Sequence, residues 1–193
     1  SAVKGLLATR EGEGDLEATS PADAGLLTLV TRVLQTLDQL ELSVKDLTLT
    51  EVETRRFGEI AFLAGDREWA TACYNTALEI APGQPATLRS LCRLTRESGD
   101  DENLRNNLEG LLDLDPDDPD LLREHARLLT KLGDAGAEKD LRRLEAMGIE
   151  TAEDKSMMAS LAARAGDTDV ALESIEAALA SDPNGEDWLR KAE

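Results

Sequence analysis

The side chains able to do covalent or acid–base chemistry are few and scattered. The single histidine, His125, has no Ser, Cys or carboxylate set beside it by a recognisable motif, so it reads as a hydrogen-bonded core residue. Cys73 and Cys92 form neither a CxxC nor a secreted-type framework and read as buried free thiols. The run Asp113-Leu114-Asp115-Pro116-Asp117, with Glu124 eleven residues after Asp113, has the outline of a calcium loop up to its sixth position, where Asp118 replaces the glycine that turn requires. A helix end and the linker to the next helix explain the same residues. There is no phosphate-cradling glycine loop and no Cys/His metal cluster in the sequence. The expectation is a non-enzyme with no catalytic residue, no metal and no cofactor. What remains is arginine, which makes up 15 of the 21 basic residues and whose planar fork suits a carboxylate or phosphate.

The elements that must position these residues are set by a repeat. Gly-Asp recurs at Gly65-Asp66, Gly99-Asp100, Gly133-Asp134 and Gly166-Asp167, at spacings of 34, 34 and 33, and Pro82, Pro116 and Pro183 keep the same step. Gly relieves left-handed strain at a helix end and Pro cannot continue a helix, so each block reads as two helices. A period of that size predicts stacked helical hairpins. Aromatics are only 3% of the chain while Ala and Leu dominate, which suits close-packed helices.

In order along the chain, residues 1–19 are polar and glycine-bearing and read as a mobile lead-in. Residues 20–50 form an N-terminal helix and linker: Ser20-Pro21-Ala22-Asp23 starts it, and Leu26, Val30, Val33, Leu37, Leu40, Val44 and Leu47 make a heptad seam about three heptads long. That seam either lies against the first repeat and covers its exposed end or mediates self-association through residues 21–47. Thr50-Glu51-Val52-Glu53 is a capping box that opens the array, which divides into blocks 51–84, 85–118, 119–151 and 152–185. Residues 186–193 begin a further helix and stop, as a truncated capping helix does.

Counting Glu51 as position 1, the first block has Phe57-Gly58 at 7 and 8, Gly65 at 15, Ala70 at 20, Tyr74 at 24, Ala77 at 27 and Pro82 at 32. The second keeps the frame with Leu91-Cys92, Gly99, Leu104, Leu108, Leu111 and Pro116. The third slips at Gly136 and aligns Ala137, Leu141 and Leu144 only with one residue dropped, with Gly148-Ile149 in place of the proline. The fourth returns with Met158-Ala159, Ala162, Gly166, Ala171, Ile175, Ala178 and Pro183. On these residues the chain resembles the tetratricopeptide repeat family over 51–185, although Thr54 stands where that family usually has Trp. The resemblance implies an all-α, right-handed α-solenoid of about four repeats, whose first helices line a concave groove.

By that resemblance the groove positions include Arg55, Arg89 and Arg123 at position 5, Arg93 and Arg127 at position 9, and Arg96 at position 12, with Ser156, Glu59 and Ser160 in the same rows. The first helices sum to +2, whereas the second helices with their linkers sum to −16, on a chain of net charge −19. Two readings of the ladder stay open. The arginines pair internally with Glu59, Glu97 or Glu124, or they await the carboxylate or phosphate of a peptide. The family's carboxylate clamp for chaperone tails does not carry over, because Arg55, Glu59, Ser90, Asp120 and Glu124 occupy its positions.

The function expected is a non-catalytic adaptor that binds an acidic peptide or partner tail in an arginine-lined groove. The alternatives are an assembly factor that oligomerises through its N-terminal helix and the targeting domain of a larger enzyme. The net charge of −19 disfavours nucleic acid and anionic membranes, and the Lys-poor acidic balance fits salt adaptation or a GC-rich genome equally. No apolar run is long enough to cross a bilayer, and a cytoplasmic location is expected. The chain opens on Ser1, as a processed or excised fragment does.

Overall fold

The computed structural model describes residues 21–181, with side chains from residue 28. The lead-in 1–19, the Ser20 cap, the Leu26 side chain, Pro183 and the start of a helix at 186–193 lie outside the described residues. Those residues form nine α-helices, one 3-10 turn and no strand: α1 (Pro21–Gln39), the 3-10 turn (Val44–Leu47), α2 (Glu51–Leu63), α3 (Arg67–Ile80), α4 (Pro85–Ser98), α5 (Asp101–Leu114), α6 (Pro119–Leu132), α7 (Ala137–Ala146), α8 (Ala152–Ala165) and α9 (Thr168–Ser181). The architecture is all-α, built of consecutive helical hairpins of the α-solenoid class. It divides into two compact units that meet in sequence at Asp100 and Asp101.

The recurring Gly-Asp pair ends one helix at every inner turn and, at Asp66 and Asp167, also caps the next. The glycines at 65, 99, 133 and 166 all have φ between 70° and 84°, the left-handed conformation that ends a helix without a Cβ clash. The aspartate that follows then caps the next helix: Asp66 Oδ1 accepts from Trp69 N at 3.0 Å and Asp167 Oδ1 from Val170 N at 3.2 Å. In the third block Asp134 Oδ1 accepts from Gly136 N at 2.8 Å instead, so α7 starts two residues late and runs for only 10 residues. Ala137, Leu141 and Leu144 are nevertheless buried along it, in the shifted frame read from the sequence.

In the first unit, Val30, Leu34 and Leu37 of α1 pack with Phe57, Ile60 and Ala61 of α2 and with Trp69, Ala70, Cys73 and Tyr74 of α3. Phe57 and Trp69 meet edge to face, centroids 6.0 Å apart. Trp69 Nε1 donates to Asp38 Oδ1 at 2.7 Å, tying α3 to the end of α1. The heptad seam differs from its sequence reading. The helix ends at Gln39, because Glu41 adopts a left-handed φ of 54° and Leu42 N–H bonds back to Leu37 O at 3.0 Å. Leu40 is left exposed, while Val44 reaches the core from a separate 3-10 turn opened by a Ser43–Asp46 capping box. Val30, Leu34 and Leu37 of α1 are thus buried against α2 and α3, while Leu29 and Leu40 stay exposed.

The second unit has its own core of Leu122, Ala126, Leu141, Leu144 and Met157. His125 lies at its edge as a buried residue, with Nδ1 2.7 Å from Asp140 Oδ2 on α7 and Nε2 3.8 Å from Glu109 Oε1 on α5. Asp140, itself buried, is the partner that sequence spacing did not single out. In the fourth block Met157 is in the core beside Ala159 and Ala162, and Met158 is only partly buried. Asp118 caps α6, accepting from Asp120 N at 2.9 Å and Leu121 N at 3.2 Å, and Asp117 pairs with Arg143 at 2.7 Å. The calcium-like run is therefore a helix end followed by a cap.

Candidate functional site

Arginine positions 5, 9 and 12 fall on α2, α4 and α6, and the structure gives the six arginines different surroundings. Arg55 on α2 lies between two acids of its own helix: its Nη1 bonds Glu59 Oε1 and its Nε is 3.7 Å from Glu51 Oε1. Glu51 Oε1 also accepts from the buried Thr87 hydroxyl at 3.0 Å, which links the start of α2 to α4. Arg93 on α4 lays its guanidinium over the Phe62 ring, 4.5 Å from the centroid, in a cation–π stack between neighbouring first helices. Arg89, one turn earlier, is exposed and makes no ion pair with a described residue. Arg96, one turn later, is exposed and engaged.

Beneath Arg93 is Tyr74 of α3, fully buried, within electrostatic reach of Glu59 and Arg93. Burial, then the Glu59 carboxylate, pushes its phenol up to about 12. Its hydroxyl, the Nε of Arg93 and the Nε of Arg55 are all buried without a hydrogen bond among the described residues. Glu59 thus pairs with Arg55, and its carboxylate and the Arg93 guanidinium both act on the Tyr74 phenol. Charge-assisted hydrogen bonds from planar arginine forks to carboxylate or phosphate oxygens are among the strong ones, and Arg89 and Arg93 carry groups of that kind.

The α6 arginines are in the second unit and are already matched. Arg123 Nε donates to Asp154 Oδ2 at 3.1 Å, and its Nη2 donates to the Ile149 carbonyl. Arg127 makes a two-pronged contact with Glu153, Nε to Oε1 at 2.8 Å and Nη2 to Oε2 at 2.7 Å, and this partner raises its pKa. Sequence reasoning named Glu59, Glu97 and Glu124 as internal partners. Glu59 serves Arg55, Glu97 pairs instead with Arg67 at 3.3 Å, and the acids that meet Arg123 and Arg127 are the first-turn pair of α8, Glu153-Asp154. Their signal was available, because acids in a helix first turn one repeat downstream face the preceding first helix. The Phe62–Arg93 stack was also missed, although an aromatic at position 12 precedes an arginine at position 9 of the next block.

No protein-family model matches the sequence, and no curated protein matches it. Among solved structures, a tetratricopeptide repeat protein from Parabacteroides merdae ATCC 43184 superposes with a TM-score of 0.65 at 18% identity, covering 99% of this chain and 71% of that one. The protein MamA (MSR-1 C2) gives a TM-score of 0.56 at 16% identity, over 84% of this chain and 90% of its own. A chain of the APC/C hetero-tetramer Cut9–Hcn1 gives 0.51 at 16% identity, over 75% of this chain and 30% of that one. Identity this low speaks to fold alone, and with the recurring Gly-Asp turns and the small residues at the helix contacts it leads to one conclusion: the chain has the tetratricopeptide-repeat fold.

Proposed function

We propose that the protein is a non-catalytic interaction module that holds an acidic peptide or partner tail on the arginine-bearing face of α2 and α4. The observation that carries this reading is Arg93, its guanidinium held flat on Phe62, with the exposed Arg89 one turn earlier making no ion pair with a described residue. A stacked guanidinium keeps its fork oriented, so less conformational freedom is lost when a carboxylate arrives. The fold is one of consecutive helical hairpins, and the name of the Cut9–Hcn1 hetero-tetramer describes an assembly of protein chains. Arg89 and Arg96 flank Arg93 on the same helix as outer contacts, Arg55 supports the site through Glu59, and Arg123 and Arg127 are structural pairs unless a partner displaces Glu153 and Asp154.

The test is fluorescence anisotropy with a labelled hexapeptide of Asp, Glu and Leu, against the same peptide with Asn and Gln. The acidic peptide binds and weakens with added salt, Arg93→Glu removes binding, and Arg93→Lys weakens it by roughly tenfold because the charge survives while the fork is lost. Equal affinity for the two peptides, or full affinity in Arg93→Glu, overturns the reading.

A further inference from the structure

The second unit contains a cavity of about 380 Å³ between α7, α8 and α9. Its wall has an apolar part made by Leu141, Met158, Val170 and Ala177. Its charged part is mainly acidic: Glu145, Glu150, Asp154 and Glu173. The two basic residues on the lining are already engaged. Arg142 pairs with Glu138 at 2.7 Å, and Lys155 Nζ lies 2.9 Å from Ser181 Oγ and 3.7 Å from Glu150 Oε1.

Asp154 singles the cavity out from an ordinary acidic surface. Its side chain is 2% exposed, and Oδ2 accepts from Thr151 N at 2.8 Å and Arg123 Nε at 3.1 Å. Oδ1, equally buried, accepts from no described residue. An unmet oxygen on a buried carboxylate is costly, and a donor entering the cavity relieves that cost. The field around it selects the sign of that donor, since block 167–185, which includes α9, carries −5 and neither Lys nor Arg.

We propose that this cavity is a seat for a lysine or arginine side chain presented by a protein partner. The apolar wall takes the aliphatic stem, Asp154 Oδ1 accepts from the cationic head, and Glu145 and Glu173 close around it. The volume is at the small end of the roughly 300–1,000 Å³ of ligand sites, enough for one long side chain and too little for a folded segment. Arg123 acquires a positioning role here, because it holds Oδ2 of Asp154. The site is separate from the α2–α4 face and opposite in charge preference, so it stands or falls independently of the acidic-peptide reading.

The experiment is a nitrogen-15 NMR titration of the full chain with the N-acetylated, C-amidated tripeptide Leu-Lys-Leu, and with its counterpart carrying ε-acetyl-lysine. The lysine peptide shifts the amides of Leu141, Met158, Val170 and Ser174 along a saturating curve, and the neutral counterpart does not. Glu145→Lys with Glu173→Lys weakens binding at least tenfold, and Ser174→Trp, which fills the cavity without changing charge, does the same. Glu102→Lys with Asp113→Lys makes an equal charge change at exposed positions of α5 and leaves affinity within about twofold. Equal weakening by that control pair, shifts scattered over the acidic surface, or full affinity in Ser174→Trp overturns the proposal.

Discussion

Position 8 of the first block shows how much one residue can carry. A Cβ built on Gly58 would sit 2.8 Å from Tyr74 Cε1 and 2.9 Å from Cys73 Cβ, so α2 and α3 approach more closely than any side chain allows. Gly58→Ala therefore destabilises by about 1–3 kcal/mol despite the better helix propensity of alanine, and Ala159→Leu overpacks α8 by a similar amount; urea denaturation measures both. Tyr74→Ala leaves a cavity and costs about 3–5 kcal/mol. The Tyr74 phenol, raised to about 12 when folded against an ordinary value of 10, keeps its proton above pH 10 while the unfolded chain loses it. The Tyr74 contribution to stability is thus complete below pH 10 and is lost as pH rises toward 12, and an alkaline absorbance titration of tyrosinate reads the raised phenol pKa. Cys73, pushed to about 12 by burial and then by Asp66, and the buried Cys92 are inert in the native state. Ellman's reagent consumes both thiols only on unfolding.

At the scale of elements, the hairpin turns and the start of α1 at Pro21 were legible, and the C-terminal end of α1 was not. Gly-Asp announces a helix end and a cap in consecutive residues, both local requirements, so four inner turns could be placed from sequence. The heptad seam was carried through to Leu47 because apolar periodicity does not record that Glu41 enters the left-handed region. Asp38→Ala tests the docking of α1, since it removes the acceptor of Trp69 Nε1. It lowers the melting temperature by the equivalent of about 1–3 kcal/mol and shifts the Trp69 emission, with Trp69→Phe assigning the signal. The α6–α8 pairs separate by burial. Arg127→Ala breaks an exposed pair with Glu153 and costs no more than about 1 kcal/mol. Arg123→Ala strips a donor from the buried Asp154 and costs about 1–3 kcal/mol.

For the whole molecule the dominant fact is charge. With −16 on the second helices and their linkers, like charges repel at low ionic strength, and that repulsion fades as the screening length falls from about 30 Å at 0.01 M to about 3 Å at 1 M. The melting temperature rises in molar salt, measured by circular dichroism across a chloride series; an unchanged or lower value removes the salt-adaptation reading. Among the described residues no helix is long and apolar enough to cross a membrane.

The sequence by itself determined the class of fold and the placing of the inner turns, because helix ends, caps and the small residues of close helix contacts depend on neighbours within one repeat. It also placed arginines in register on successive first helices. Only the tertiary structure decided which of them are already matched. Arg123 and Arg127 meet Asp154 and Glu153 from 26 to 31 residues away, and Arg93 meets Phe62 across a helix pair. Spacing fixes the face of a helix on which a side chain stands, whereas its partner depends on which neighbouring helix packs there and on the rotamers that packing allows.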